Sequence, residues 1–502
     1  MTFRTSDSDR LVLAVDCSTT ASKAIVTDAA GGVLGAGATG LVTSSPAPGW
    51  NEQDARDWWS ATDAAVRQAL AQVPDRRRVA AVCFTHQRES FVCVDANGNP
   101  LRPAILWMDS RAGAQVERFG SRRVEELTGK PADTTPALYK LAWLREHEPE
   151  LLERTYQVLD VHAYLVRAST GQWVTSTSSA DPLGLVDVSS RQYSAELLAI
   201  AGLRRDQVCE QVPTGEVIAP LTPEVADGWG LPRNTVVVAG LGDGQAAGLG
   251  AGVTQPGQVY INLGTAVVIG TESRGYVPSR AYRSLVSAVP GGTTLETFSS
   301  SGTFLPSWFR REFGRPELQG QPDPELDAAA AAVPAGSEGL LTLPHWHGAQ
   351  TPHWDAQASG AVLGWRGWHT RAHFYRSLLE GITFELRLQL DGLEAATGVE
   401  VDVIRTMGGG ARSPLWRQLL ADVLGRPIQR CATDETSALG AAAVALTSIG
   451  AYADVASAAT SLASPEAPIA PREEVSAQYV GPLTTYRHLY DNLRPVLRTL
   501  HH

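Results

Sequence analysis

The chain has 502 residues, 43% of them hydrophobic and 19% charged, with a formal net charge of -11. That length exceeds what one hydrophobic core serves, so two or more domains are expected in an ordinary globular composition. The acidic balance excludes nucleic acid as the main partner, because phosphate backbones need a basic face. It leaves room for a small anionic ligand held by local amides and a cation.

No uncharged apolar run approaches the ~20 residues that span a bilayer. The start "MTFRTSDSDR" lacks the apolar segment of a signal peptide, so a cytoplasmic protein with no membrane partner is expected. The five cysteines, Cys17, Cys83, Cys93, Cys209 and Cys431, form no CxxC pair and read as reduced, mostly buried thiols.

In chain order, "LVLAVDCSTTASKAIVTD" reads as strand, polar turn, strand, with Leu11 to Val15 and Lys23 to Thr27 as the strand segments. "LYKLAWLREHEPELLER" carries apolar residues at helical spacing. "GLGDGQAAGLGAG", Gly240 to Gly252, sets one carboxylate, Asp243, among small residues. Two readings fit: a tight turn, or a place where a ligand approaches the backbone and meets the carboxylate. "GQVYINLGTAVVIGTES" repeats the opening grammar, with strand Val259 to Leu263, a turn at Gly264 and Thr265, and strand Ala266 to Gly270. One such unit in each half suggests a duplicated architecture.

"PDPELDAAAAAVPAGSEG" reads as a helix closed by a loop, and "AHFYRSLLEGITFELRLQLDGLEAATG" as a long amphipathic helix. "VIRTMGGGARSPLWRQLLADVLGRPI" reads as a strand, a triple-glycine turn and a helix begun by Ser413 and Pro414. The Ala/Ser/Pro-rich stretch 451–475 reads as surface structure. Strands alternating with helices give the α/β class.

Two nucleotide motifs are absent. Gly129-Lys130 is followed by Pro131 and lacks the earlier glycine of a P-loop, and "GGGARS" has Ser413 where a GxGxxG would end. A dinucleotide-binding dehydrogenase is therefore disfavoured. "DCSTTAS" offers amides and the hydroxyls of Ser18, Thr19, Thr20 and Ser22, followed by Lys23, which suits a phosphate chain as well as it suits an ordinary hairpin turn. "GGGARS" at a helix N-terminus can receive a ligand against its amides, or simply connect strand to helix. His345, His347 and His353 lack a fourth ligand and the spacing for zinc, and read as loop histidines stacking on Trp346 and Trp354.

The order of these elements resembles the FGGY carbohydrate kinases. "DCSTTASK" is similar to the first phosphate motif, "LGDGQAAGLGAG" to the segment with the catalytic aspartate and "INLGTAVV" to the second phosphate motif. "LPHWHGAQTPHWD", "AHFYRSLLEGITFELR", "MGGGARSPLWRQLLADVLGRPI" and "ETSALGAAAVAL" look like the C-terminal signatures. The resemblance implies two actin-like (ribonuclease H-like) ATPase domains, roughly 1–250 and 251–502, around a central cleft. It implies ATP-dependent phosphorylation of a sugar or polyol with Mg²⁺, and a homodimer. Asp243 would be the base that takes the acceptor proton, and Asp16, with Asp243, would orient the metal. Thr19, Thr20, Lys23, Gly264 and Thr265 would contact phosphates, and Gly409, Gly410, Ala411 and Ser413 would line the adenosine.

On the substrate side stand Arg88, Glu89, Trp107 and Asp109, followed by Arg111. An Arg–Glu pair can grip vicinal hydroxyls, and the same pair can be a surface ion pair. "QRE", Gln87 to Glu89, is similar to the glycerol kinase branch, as is Gln245, although there the glutamine follows the aspartate directly. "DCSTTASK" and "GARSPLWRQLLADVLGRP" look more like the xylulose kinase branch. A ketopentose such as xylulose is the expected acceptor, with glycerol, a tetritol or a sugar acid as the alternative and a non-catalytic ATP-driven switch as the rival from another class. Three departures stand out: Ser18 in place of a frequent glycine, "GAQTP" for "GERTP" and "QASG" for "ARG".

Overall fold

The computed structural model describes residues 10–355 and 357–501, so most of the N-terminal decapeptide lies outside the described residues. The first half builds a six-stranded sheet from β1 (Leu11–Cys17), β2 (Ala21–Thr27) and β3 (Val33–Gly40), then, after helix α1 (Ala55–Ala71), β4 (Val79–His86). Helix α2 (Ala137–His147) follows, and β5 (Val217–Pro220) and β6 (Val236–Gly242) complete the sheet. Its order is β5-β6-β4-β1-β2-β3. Helix α3 (Asp243–Gly250) leaves β6 directly.

The second sheet contains β7 (Gln258–Leu263), β8 (Val267–Arg274), β9 (Arg283–Val286) and β10 (Gly292–Ser299). After helix α4 (Arg371–Thr397) come β11 (Val403–Met407), helix α5 (Pro414–Leu424) and β12 (Ile428–Arg430). Its order is β9-β10-β8-β7-β11-β12. The series β3-β2-β1-β4-β6 and β10-β8-β7-β11-β12 share one pattern, two antiparallel pairings followed by two parallel ones. The two strand–turn–strand units therefore head two equivalent sheets.

Local chemistry explains the layers. Asp54 caps α1 by accepting from the Arg56 amide, and Trp58, Ala61, Thr62, Ala65, Val66 and Ala69 form its buried stripe. A Cβ on Gly35 or Gly37 of β3 would lie 2.2 Å from the Ala69 or Ala65 carbonyl oxygen, so glycine lets α1 lie close against that strand. "LYKLAWLREHEPELLER" is two helices, because Pro149 starts a second one over Pro149–Arg154.

Helices α6 (Thr436–Ser448) and α7 (Val455–Leu462) belong to the C-terminal half but pack on the first sheet. Ala438, Ala442, Leu446, Val455 and Leu462 share a core with Val12, Ala14, Cys83 and Val238. The stretch expected as surface structure thus contains a helix buried through Val455, Ala458, Ala459 and Leu462. Small side chains at helical spacing make a core face as well as large ones do. Helices α3 and α6 cross between the sheets at paired glycines. A Cβ on Gly250 would sit 1.9 Å from the Thr436 carbonyl oxygen, and one on Gly440 would sit 1.9 Å from that of Ala246.

Among the described residues no helix is long and apolar enough to cross a membrane.

Candidate active site

A cleft of about 340 Å³ opens between the sheets and is lined from both sides. The first hairpin turn supplies Ser18, Thr19 and Thr20, and the second supplies Asn262, Gly264, Thr265 and Ala266. Hairpin register makes these turns counterparts: Asp16 faces Lys23 one pair before the first turn, and Asn262 faces Val268 one pair before the second. Arg88, Glu89, Trp107 and Asp243 complete the expected group on the cleft wall.

Asp243 is not in a turn; it opens α3, directly after the last residue of β6. A carboxylate there meets the positive end of the helix. Its Oδ1 accepts from the Gly244 amide at 2.7 Å and lies 3.0 Å from Arg88 Nε. Arg88 in turn reaches Glu296 of β10 at 2.8 Å through Nη1. Glu296 is fully buried, accepts from the Tyr260 hydroxyl at 2.7 Å and pairs with Arg283 at 2.9 Å. Arg283 closes the chain by donating to Glu89 at 3.1 Å. Burial would push Glu296 up, but Arg88 and Arg283 outweigh it and pull it down to about 2. Gly244 is the residue this crowding requires, since its Cβ would lie 2.4 Å from Glu296 Oε1 and 2.7 Å from Arg88 Nη2. Glu89 holds φ at +60°, a left-handed backbone unusual for a glutamate and of the kind found at functional sites.

Asp16 lies on β1 just before the first turn and is not among the residues that line the cleft. Its Oδ1 is buried without a hydrogen-bond partner. Burial first, and then the Asp243 charge, push its pKa up to about 8 against the pull of Lys23. A buried oxygen lacking a donor, in a field made negative by a second carboxylate, fits a divalent cation. Lys23 is held by Glu435 at 2.8 Å. Thr19 Oγ1 receives the Trp107 indole N–H at 3.0 Å and donates to Gln87 at 3.2 Å.

Other expected residues lie elsewhere. Asp109 does not line the cleft: both of its oxygens are taken by Arg111 and by the Asn51 amide, and Arg111 also pairs with Glu52. The carboxylate pins a loop, as an aspartate two residues before an arginine can. Gln245 is likewise buried away from the lining, donating to the Ser178 and Val286 carbonyls and so tying the halves together. Gly409, Gly410, Ala411 and Ser413 follow β11 beside the second hairpin. Gly410 and Ala411 are buried, Ser413 caps α5, and a Cβ on Gly409 would meet only open space.

The three histidines pack on other partners than Trp346 and Trp354. His345 packs edge-on and His353 tilted against Tyr490, and His347 packs on Phe304. Cys17 is buried, and burial raises its thiol pKa, which makes it unreactive.

Sequence reasoning passed over Tyr260, Asn262, Arg283 and Glu296. Asn262 had a signal, its place in "INLGTAVV" opposite that of Asp16 in "DCSTTASK". The others look like ordinary strand residues until the sheets meet.

Residues 11–250 match the FGGY family of carbohydrate kinases, N-terminal domain, and residues 259–449 match the FGGY family of carbohydrate kinases, C-terminal domain. The chain belongs to this family. It is a carbohydrate kinase of two actin-like α/β domains, and a kinase of this type uses ATP. This kinase is 32% identical to a xylulose kinase of Escherichia coli (strain K12) over 97% of the chain and 100% of that relative. It is also 32% identical to a glycerol kinase of Bordetella parapertussis over 88% of the chain and 89% of that relative. The crystal structure of xylulose kinase from Rhodospirillum rubrum superposes with a TM-score of 0.89 at 30% identity, covering 97% of this kinase and all of that chain.

Proposed function

We propose that this kinase transfers the γ-phosphoryl group of ATP to a hydroxyl of a ketopentose such as xylulose, with Asp243 as the base. The observation that carries this reading is the position of Asp243: on the cleft wall, between the two hairpin turns that would receive the phosphates, with Oδ1 anchored by Arg88 and Gly244. An anchored carboxylate can accept the hydroxyl proton as the oxygen attacks phosphorus. ATP would lie against Gly264, Thr265 and the open Gly409 of the second half, and the acceptor against Arg88, Glu89 and Trp107 of the first. Asp16, with Asp243, would hold Mg²⁺, which when bound neutralises phosphate charge. Closure of the halves over the cleft would exclude water from the transfer.

A second acceptor class has a specific observation behind it. Arg88 and Glu89 line the cleft together, and an Arg–Glu pair suits the adjacent hydroxyls of glycerol or a tetritol. ADP release measured with Mg·ATP over ketopentoses, glycerol, tetritols and aldonates decides between them. Asp243→Asn is expected to lower kcat about 10³-fold while ATP still binds; turnover near that of the unaltered kinase removes Asp243 as the base.

A further inference from the structure

Lys140 of α2 is fully buried, and among the described residues no carboxylate lies within ion-pair distance of its ammonium. It donates instead to three main-chain carbonyls: Thr135 at 2.7 Å, Thr134 at 3.0 Å and Trp107 at 3.2 Å. A buried cation satisfied only by neutral oxygens is costly, so its place calls for a reason. Geometry supplies one. An ammonium carries three hydrogens on a single atom, and here three acceptors converge on it from two loops.

Both loops are cleft wall. Trp107 lines the cleft from one, and Asp133, Thr135 and Pro136 from the other. Trp107 extends the contact further. Its amide donates to Ser90, beside Glu89, and its indole donates to Thr19 of the first turn. The Lys140 ammonium thus sits behind the wall and reaches none of the cleft surface itself.

We propose that Lys140 is a positioning residue for the acceptor, its ammonium holding the Trp107 and Thr134–Pro136 segments at the separation a small hydroxylated molecule needs. The inference rests on the reading of this wall as the acceptor side. Burial pushes the Lys140 pKa down to about 8; Glu89, Asp109 and Asp133 pull it up, and Arg111 pulls it down. Loss of the proton leaves two hydrogens for three carbonyls, which frees part of one loop.

The test measures kcat, acceptor KM and ATP KM from about pH 6.5 to 9.5 for the unaltered kinase, Lys140→Met and Trp107→Ala. Lys140→Met is expected to raise acceptor KM at least ~10-fold while ATP KM and kcat stay within about threefold. In the unaltered kinase acceptor KM climbs through about pH 8 with ATP KM flat, and in Lys140→Met the climb is absent. A Lys140→Met enzyme with unchanged acceptor KM, or with equal losses in both substrates, overturns the role of Lys140. If that variant does not fold, Lys140→Gln takes its place with the same expected and overturning results. Trp107→Ala separates the two readings. Unchanged acceptor KM there overturns the acceptor side together with Lys140, whereas raised KM there beside unchanged KM in Lys140→Met overturns Lys140 alone.

Discussion

Glu296 shows how single buried charges hold this site. It receives Arg88 from the first half and Arg283 from its own sheet, with Tyr260 on its other oxygen. Glu296→Gln keeps the shape but leaves the buried Arg88 and the partly buried Arg283 guanidinium groups short of a counter-charge. Breaking a buried pair in this way costs on the order of 3 kcal/mol, which urea denaturation will register. An unchanged midpoint shows that water reaches the pair. His345 makes a second residue-scale case. Burial lowers its pKa to about 4, so the folded chain keeps it neutral while the unfolded chain protonates below the ordinary histidine value of about 6.5. Stability from this group is intact above pH 6.5 and falls as pH drops toward 4, by at most about 3 kcal/mol. His345→Gln is expected to flatten that part of the stability profile; an unaltered slope assigns the acid sensitivity to other groups. The resemblance in motif order singled out Asp243 and the Arg88–Glu89 pair in the sequence, but not their partners. Arg88 and Glu296 stand 208 positions apart, and only the meeting of the two sheets joins them.

At the scale of elements, the α3–α6 crossing makes the sharpest demand. Ala for Gly inside a helix ordinarily gains about 1 kcal/mol. At Gly440 the added methyl meets the Ala246 carbonyl at 1.9 Å, so Gly440→Ala is expected to destabilise by about 1–3 kcal/mol, measured as a lower urea midpoint. A gain in stability there means the helices separate at no cost. The same scale explains what the sequence hid. Strand Leu11–Val15 and the hairpin after it were legible because apolar residues flank a run of turn formers. The spacing of Val455, Ala458, Ala459 and Leu462 was present too, but alanine and serine carry little hydrophobic signal, and the helix read as surface. Asp109 was misplaced for a related reason. Its spacing from Arg111 fits a ligand grip and a loop clasp equally, and only the Asn51 amide shows which.

At the scale of the whole molecule, polar contacts join the two halves beside the apolar packing of α6 and α7 on the first sheet. Lys23 pairs with Glu435, Lys130 bonds Asp181 and the Ser284 carbonyl, and Tyr276 donates to the Glu126 carbonyl. Lys23 and Glu435 are each more than a third exposed, so their pairing is worth at most about 1 kcal/mol. If Lys23 serves the phosphates, it must leave Glu435 to do so. Glu435→Gln is then expected to tighten ATP binding by up to about fivefold, read by calorimetry; weaker binding makes Glu435 an ally of the nucleotide instead. The repeated sheet has a consequence for how such a site can change. Two copies of one scaffold allow a division of labour: where the first turn keeps an acid, Asp16, the second holds its neutral counterpart, Asn262. Each copy can alter its own turn while its twin preserves the frame, so the two walls of the cleft are free to diverge separately.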